Sequence, residues 1–216
     1  MIKKVEEVVK NKTYTPMMEH FLQVKSQYPS SILLYRMGDF YETFFEDANI
    51  ISKELNIVLT ARASDDGKVP MAGFPHHAID NYLPKLVNRG YKVAICDQME
   101  APDPKKKLVR REITRVITPG TILENEFLSE KQNNYLACVS KKGNSYGLAY
   151  VDISTGEFKA TQIIGNDANN ILFNELSRLP ISECLLPSET PDKKIDIKET
   201  IWSDLIPDSV TVTWHT

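Results

Sequence analysis

The alternation of short apolar runs with helix-period stretches is what most constrains this chain. Ile32-Leu33-Leu34-Tyr35-Arg36-Met37 and Tyr91-Lys92-Val93-Ala94-Ile95-Cys96 are of strand length and largely apolar, and each follows a helical pattern. The first of those helices is expected over residues 17–26, and the second over 78–88, stopping at Gly90. Strands and helices that alternate in this way pack as an α/β domain. Between them, Asp39 reads as an N-cap with Glu42 three residues on, and Phe40, Phe44, Ala48, Ile51 and Leu55 fall on one helical face. One helix over 39–55 is therefore expected, and by pattern alone Asp39-Phe40-Tyr41-Glu42 is an ordinary helix start. A short strand over 57–60, an exposed polar loop at 64–68 and a turn over 70–75 follow from the residue types.

The second half has a different rhythm. Residues 135–139, 146–153 and 157–163 read as three strands joined by Gly143-Asn144 and Thr155-Gly156 turns, a meander. A helix over 168–179, a strand over 183–186 and strand-like sequence at 211–216 make a second α/β unit, and the tail suggests a piece of something longer. The domain boundary is expected between about 120 and 132, giving domains over 14–120 and 132–216.

Composition narrows the class. The 216 residues are 42% hydrophobic, enough for packed cores, and 26 Lys+Arg against 29 Asp+Glu leave a net charge of −3. Bulk electrostatics therefore does not favour a polyanionic partner, and any such binding must come from local patches. The segment with Lys105, Lys106, Lys107, Arg110, Arg111 and Arg115, opposed only by Glu112, is one candidate patch, with a solvated charged loop as the alternative. The charged N-terminus lacks an apolar signal-peptide core, and no stretch has membrane-spanning length. A cytoplasmic protein is expected. Cys96, Cys138 and Cys184 each lie in an apolar run without a C-x-x-C pair, so all three are expected to be buried, reduced thiols. Four histidines, of which only His76 and His77 adjoin, do not space as metal ligands, and no metal is expected.

Five motifs stand in order along the first half: Thr15-Pro16-Met17-Met18, Tyr35-Arg36-Met37-Gly38-Asp39-Phe40-Tyr41-Glu42, Pro70-Met71-Ala72-Gly73, Ala94-Ile95-Cys96-Asp97-Gln98 and Thr118-Pro119-Gly120-Thr121. Together they resemble the bacterial MutS family of mismatch repair proteins, and Asp152-Ile153-Ser154-Thr155-Gly156 extends the resemblance into the second half. The fold so implied is a mixed-sheet mismatch-recognition domain followed by an RNase H-like α/β connector domain. The resemblance implies that Phe40 stacks on a mismatched base while Glu42 hydrogen-bonds to it, with Pro70-Met71 pressing into the minor groove and Arg62 and Arg111 contacting phosphates. It also implies mismatched duplex DNA as partner, a homodimer, and downstream repair proteins meeting the connector domain. Bacterial cytoplasm, in association with the nucleoid, is the location implied. ATP and Mg²⁺ would belong to a domain absent from these residues, where no G-x-x-x-x-G-K-[ST] occurs. The stretch itself is expected to need no cofactor and to be no enzyme.

Physical chemistry makes the Phe-x-Glu pair sensible. An apolar wedge entering the minor groove unstacks and kinks a duplex at a cost of a few kcal/mol per step, and mispaired bases have already lost part of that stacking. A carboxylate near phosphates should weaken binding to every sequence, so Glu42 reads as a group that disfavours normal duplex and is tolerated, protonated, beside a displaced base. Two other readings compete. A nuclease could use Asp152 and Glu175 as metal ligands, although no third carboxylate converges with them, and a protein-interaction module is compatible with residues 132–216.

Overall fold

The computed structural model describes residues 14–64, 67–101, 108–122, 133–188 and 195–215. They form two compact units that divide between Ile117 and Thr118.

Unit 1 is built on a six-stranded sheet. Its elements are α1 (Pro16–Gln27), β1 (Ser31–Met37), β2 (Phe40–Phe44), α2 (Phe45–Leu55), β3 (Thr60–Ser64), β4 (Gly67–Pro75), α3 (Ile79–Val87), β5 (Lys92–Gln98) and β6 (Arg111–Ile117), with a 3₁₀ turn at His76–Ala78. The sheet order is β3-β4-β2-β1-β5-β6, and every pairing is antiparallel except β1 with β5. Apolar residues of α1, Phe21, Leu22 and Met18, pack on Leu33, Tyr35, Phe44, Ala94 and Cys96 of one sheet face. Strand alternation turns Tyr41, Ala72 and Phe74 to the other face, where the Phe74 ring meets Tyr82 of α3 with centroids 4.6 Å apart. Asp47, in the first turn of α2, ties the layers together: its carboxylate accepts hydrogen bonds from Lys25 Nζ at 2.8 Å and from the Leu33 backbone N–H at 3.0 Å. Because β2 pairs with β1 only over Tyr35, Arg36 and Met37, Asp47 takes the place of a strand partner for Leu33. Burial pushes the Asp47 carboxyl above its ordinary range, and Lys25 opposes that rise.

The expected helix over 39–55 is corrected here: its first part is strand β2, and only Phe45–Leu55 is helical. Gly38 and Asp39 form a two-residue hairpin loop between Met37 and Phe40, with φ 59° at Gly38, a position that suits glycine. Asp39 is therefore a turn residue rather than a helix cap. The strand gives way to α2 at Phe45, whose φ of 57° is strained for an aromatic residue; its ring is held against Tyr14 and Phe21. The expected strand over 57–60 starts instead at Thr60, and the expected turn over 70–75 is the second half of β4. Staggered neighbours make that possible. β3 pairs with β4 from Gly67 to Met71 and β2 from Met71 to Pro75, so Pro70, which has no N–H to give, lies where β2 no longer runs alongside. Asp65 and Asp66 of the expected loop, and Lys105, Lys106 and Lys107 of the basic segment, lie outside the described residues.

Unit 2 comprises β7 (Tyr135–Lys142), β8 (Ser145–Asp152), β9 (Glu157–Ile163), α4 (Ala168–Arg178), β10 (Ile181–Pro187) and β11 (Thr211–His215), with a 3₁₀ turn at Ile197–Glu199. The sheet order is β11-β10-β7-β8-β9: the meander is antiparallel and β10 is parallel to both its neighbours. Leu172 and Leu176 of α4 pack with Tyr146, Leu148, Trp202 and Leu205 over one sheet face. Cys96 and Cys184 are buried, but Cys138 is exposed, contrary to expectation, because alternation along β7 turns Ala137 and Val139 inward and Cys138 outward. The Thr118-Pro119-Gly120-Thr121 turn is fastened within this unit. Glu183 of β10, 2% exposed, accepts the Thr118 hydroxyl and the Gly120 N–H (3.0 Å) on one oxygen and the Thr213 hydroxyl (2.5 Å) on the other.

No helix among the described residues is long and apolar enough to cross a membrane.

Candidate nucleic-acid interface

The hairpin loop at Gly38-Asp39 starts β2 with Phe40, which is 45% exposed. The loop is braced on both sides. The Asp39 carbonyl accepts the His76 N–H at 2.8 Å, and Arg36 Nε donates to the Gly38 carbonyl at 2.5 Å. Tyr41, next in sequence, turns inward and donates its hydroxyl to Asp97 of β5 at 2.6 Å, while Thr114 of β6 donates to the other Asp97 oxygen at 2.5 Å. Burial, with help from the Asp97 hydrogen bond, pushes the Tyr41 phenol up to about 12, so it remains a donor at any physiological pH. An aromatic side chain with two χ angles thus projects from a rigid strand, so little side-chain entropy is lost when it is immobilised.

Glu42 points to the same sheet face as Phe40. It is half-buried, and its Oε2 is closed to solvent with no hydrogen-bond partner among the described residues. Burial raises the carboxyl above its ordinary value, and the charge of Arg62 on β3 opposes that rise. The cause of the burial is visible across the strand pair. Glu42 faces Gly73 of β4, where a Cβ would lie 2.5 Å from the Tyr41 carbonyl oxygen and 3.2 Å from Glu42 Cγ. Only glycine admits the glutamate side chain there. Phe40, Glu42, Met71 and Gly73 line a cleft of about 430 Å³ together with Asn56, Ile57, Val58 and Thr60. That volume falls in the range of about 300–1,000 Å³ typical of small-ligand pockets.

Residues 15–126 match the family model described as MutS domain I, and residues 134–212 match the model for MutS domain II. The chain belongs to the MutS family. It is 48% identical over 202 residues to a DNA mismatch repair protein MutS of Syntrophomonas wolfei, covering 89% of this chain and 24% of that protein. The MutS of Acaryochloris marina is 50% identical over 204 residues (94% of this chain, 23% of that protein), and that of Thermotoga petrophila 62% identical over 143 residues (66% and 17%). The chain thus spans about a quarter of the length of the first two of these MutS relatives.

Of the residues singled out from sequence, Phe40, Glu42 and Met71 share the cleft, and Arg62 stands near enough to Glu42 to act on its charge. Pro70 is not among the cleft residues and pairs with Ala61 of β3. Arg111 is not on an open surface: it is buried, its Nε donates to the Arg36 carbonyl at 2.8 Å, its Nη1 to the Val109 carbonyl at 2.9 Å, and its guanidinium carbon lies 4.9 Å from the Tyr35 ring centre. These bonds give Arg111 a bracing role between β6 and β1, because a long cation on an apolar stem stabilises as much by packing as by charge. Asp152 fastens the β8–β9 hairpin, accepting the Ser154 hydroxyl (2.6 Å) and backbone N–H groups of Ser154, Thr155 and Asn134; the hydrogen bonds keep its carboxyl below its usual range in spite of burial. Glu175 pairs with Arg178 one turn along α4. Among the described residues no three His, Cys, Asp or Glu side chains gather as metal ligands. Sequence reasoning gave no role to Gly73, Asn56, Val58, Tyr41 or Asp97. Gly73 alone had a legible signal, since a glycine between apolar residues marks a close approach.

Proposed function

We propose that this chain recognises mismatched or unpaired bases in duplex DNA and so initiates mismatch repair, with Phe40 as wedge and Glu42 as the group that hydrogen-bonds the displaced base. The observation that carries the reading is the pairing of an exposed phenyl ring with a half-buried carboxylate whose Oε2 lacks a partner, on one strand and in one cleft. The phenyl ring enters the minor groove and unstacks a base step, which is cheaper where pairing is already lost; the protein reads deformability rather than base identity. Glu42 then discriminates. Opposite a normal duplex its charge adds repulsion, whereas a displaced base brings a hydrogen-bonding edge to the half-buried carboxylate. Met71 adds an apolar contact beside Phe40, Pro70 supports it from β4, and Arg62 neutralises a backbone phosphate without reading sequence. Arg111 acts on DNA through the β1–β6 framework it braces. Relatives that carry the name DNA mismatch repair protein support the role.

In the complete protein the reading extends to a bacterial cytoplasmic homodimer in which one subunit inserts its Phe40. ATP and Mg²⁺ serve other parts of that protein, and unit 2 meets downstream repair factors. The deciding experiment measures binding of the complete protein and of Phe40→Ala to mismatched and matched duplexes at one salt concentration. Loss of one base-stacking contact predicts roughly a 10- to 100-fold loss of mismatch affinity with little change on matched duplex. Retained mismatch preference in Phe40→Ala would sink the wedge mechanism.

A further inference from the structure

Helix α2 ends at Leu55 and hands the chain, through Asn56, to the apolar residues Ile57, Val58 and Leu59, the first partly buried and the other two exposed. Val58 is 77% exposed and Leu59 47% exposed. A lone surface valine needs no explanation, but this one lines the same cleft as the exposed Phe40. The segment is also held in place. Asn56 reverses the helix with φ 53° and ψ 46°, the Ile57 N–H donates to the Ser52 carbonyl at 3.1 Å, and the Ser52 hydroxyl donates back to the Ile57 carbonyl at 2.7 Å. At its far end the Thr60 hydroxyl donates to the Met71 carbonyl at 3.0 Å. A segment tied to a helix on one side and to β4 on the other presents its side chains with little ordering cost on binding.

We propose that Val58 is a specificity-determining contact, a second apolar wall of the cleft, which packs on the unstacked nucleotide that Phe40 displaces. The occupant follows from the lining. Phe40, Val58 and Met71 offer apolar surface, and Glu42, packed on Gly73, sets its half-buried carboxylate beside them. An apolar peptide side chain in this cleft would strip water from the half-buried carboxylate without offering it a donor, an unfavourable outcome. A nucleobase, with a flat apolar body and a hydrogen-bonding edge, matches both parts of the lining. Val58 thereby tightens the grip on a base that has left the stack and touches nothing when the base stays in it.

The proposal rests on the reading of Phe40 and Glu42 given above, and the test separates the two. The complete protein is prepared as wild type, Val58→Ser, Val58→Ile and Phe40→Ala, and each is titrated with mismatched and matched labelled duplexes at fixed salt. Val58→Ser lowers mismatch affinity about five- to tenfold, the size of one lost apolar contact, and changes matched-duplex affinity less than about twofold; Val58→Ile keeps the wild-type ratio. With Val58 this exposed, thermal unfolding of the variants coincides with wild type. Unchanged mismatch affinity in Val58→Ser overturns the proposal, and so does an equal loss on both duplexes, which marks a contact without selectivity. If Phe40→Ala loses its preference while Val58→Ser keeps it, only the wall fails. If Phe40→Ala keeps its preference, the underlying reading fails and the wall with it.

Discussion

Two glutamates, one in each unit, occupy similar positions and lead opposite lives. Glu42 and Glu183 both lie on strands, and each packs on a glycine that could not be anything larger: Gly73, and Gly120, where a Cβ would lie 2.9 Å from Glu183 Cβ and 3.0 Å from Leu136 Cβ. Glu183 has donors on both oxygens, from Thr118, Gly120 and Thr213. Glu42 has an oxygen shut away from solvent with no donor among the described residues. Burial of a carboxylate is tolerable when its hydrogen bonds are complete, so Glu183 is a rivet that closes a turn onto a sheet. In the proposed reading, an incomplete carboxylate beside an exposed phenyl ring and an open cleft is held in a less favourable state until a displaced base arrives.

The largest effect expected from this contrast is on stability. Glu183→Ala leaves two hydroxyls and a backbone N–H without their acceptor, and unit 2 should lose about 3 kcal/mol or more, read from denaturant or thermal unfolding. Glu42→Ala removes a carboxyl whose Oε2 accepts no donor among the described residues and whose charge meets only that of partly exposed Arg62, and unit 1 should keep its stability to within about 0.5 kcal/mol. Equal losses in the two variants would break the comparison.

The glycines sharpen it. Gly73→Ala and Gly120→Ala each force a methyl group into backbone or Cβ atoms, and each should cost about 1–3 kcal/mol of stability. Their effects on DNA should part company. Gly73→Ala pushes against Tyr41 and Glu42 and so shifts the strand that carries Phe40, lowering the mismatch-to-matched affinity ratio about tenfold, whereas Gly120→Ala leaves that ratio where it was. A ratio that falls in both variants would mean that general loosening, not the Glu42 cleft, sets discrimination.

The elements that sequence made legible are those in which residue type and period agree. β1 and β5 are continuous apolar runs buried on both faces, and the meander of unit 2 alternates cleanly along β8, where Tyr146, Leu148 and Tyr150 point inward. β2 was hidden by a coincidence of spacing. Phe40 and Phe44 are four apart, as on a helix, and the true helix that follows supplies Ala48, Ile51 and Leu55 in phase with them, yet Phe-Tyr-Glu-Thr-Phe is also an aromatic, β-branched strand of period two. β4 was hidden by Pro70 and Gly73, which pass for turn residues until the stagger of β2 and β3 is known. In the cleft, the Phe-x-Glu pair and Met71 were accessible through the family motifs. Residues 56–58 were not, because they come to the cleft only through the way α2 ends and β3 begins, a tertiary fact with no local signature. The burial of Arg111 escaped for the same reason: a basic strand next to lysines looks solvated until the carbonyls of Arg36 and Val109 are brought to it.

The smallest effect, and the most specific, lies in the pH dependence of Glu42. Its carboxyl is raised by burial, with Arg62 pulling the other way, so it takes up a proton at a higher pH than an ordinary glutamate near 4.3. A raised carboxyl favours the neutral folded form, and its contribution to stability is therefore greatest at low pH and declines as pH rises through the shifted value. The same titration acts on DNA. As pH falls toward that value the repulsion between Glu42 and the phosphates fades, and binding to matched duplex should strengthen by several-fold while mismatch binding changes less. Glu42→Gln removes the charge at every pH, so its matched-duplex affinity should be high and flat from about pH 5 to 8, and its mismatch preference correspondingly smaller. Arg62→Gln removes the opposing charge and should move the wild-type transition to higher pH. Titrations at constant ionic strength separate this from general screening, and a Glu42→Gln protein whose matched-duplex affinity equals that of wild type across the range would show that the unpartnered oxygen does not discriminate by charge.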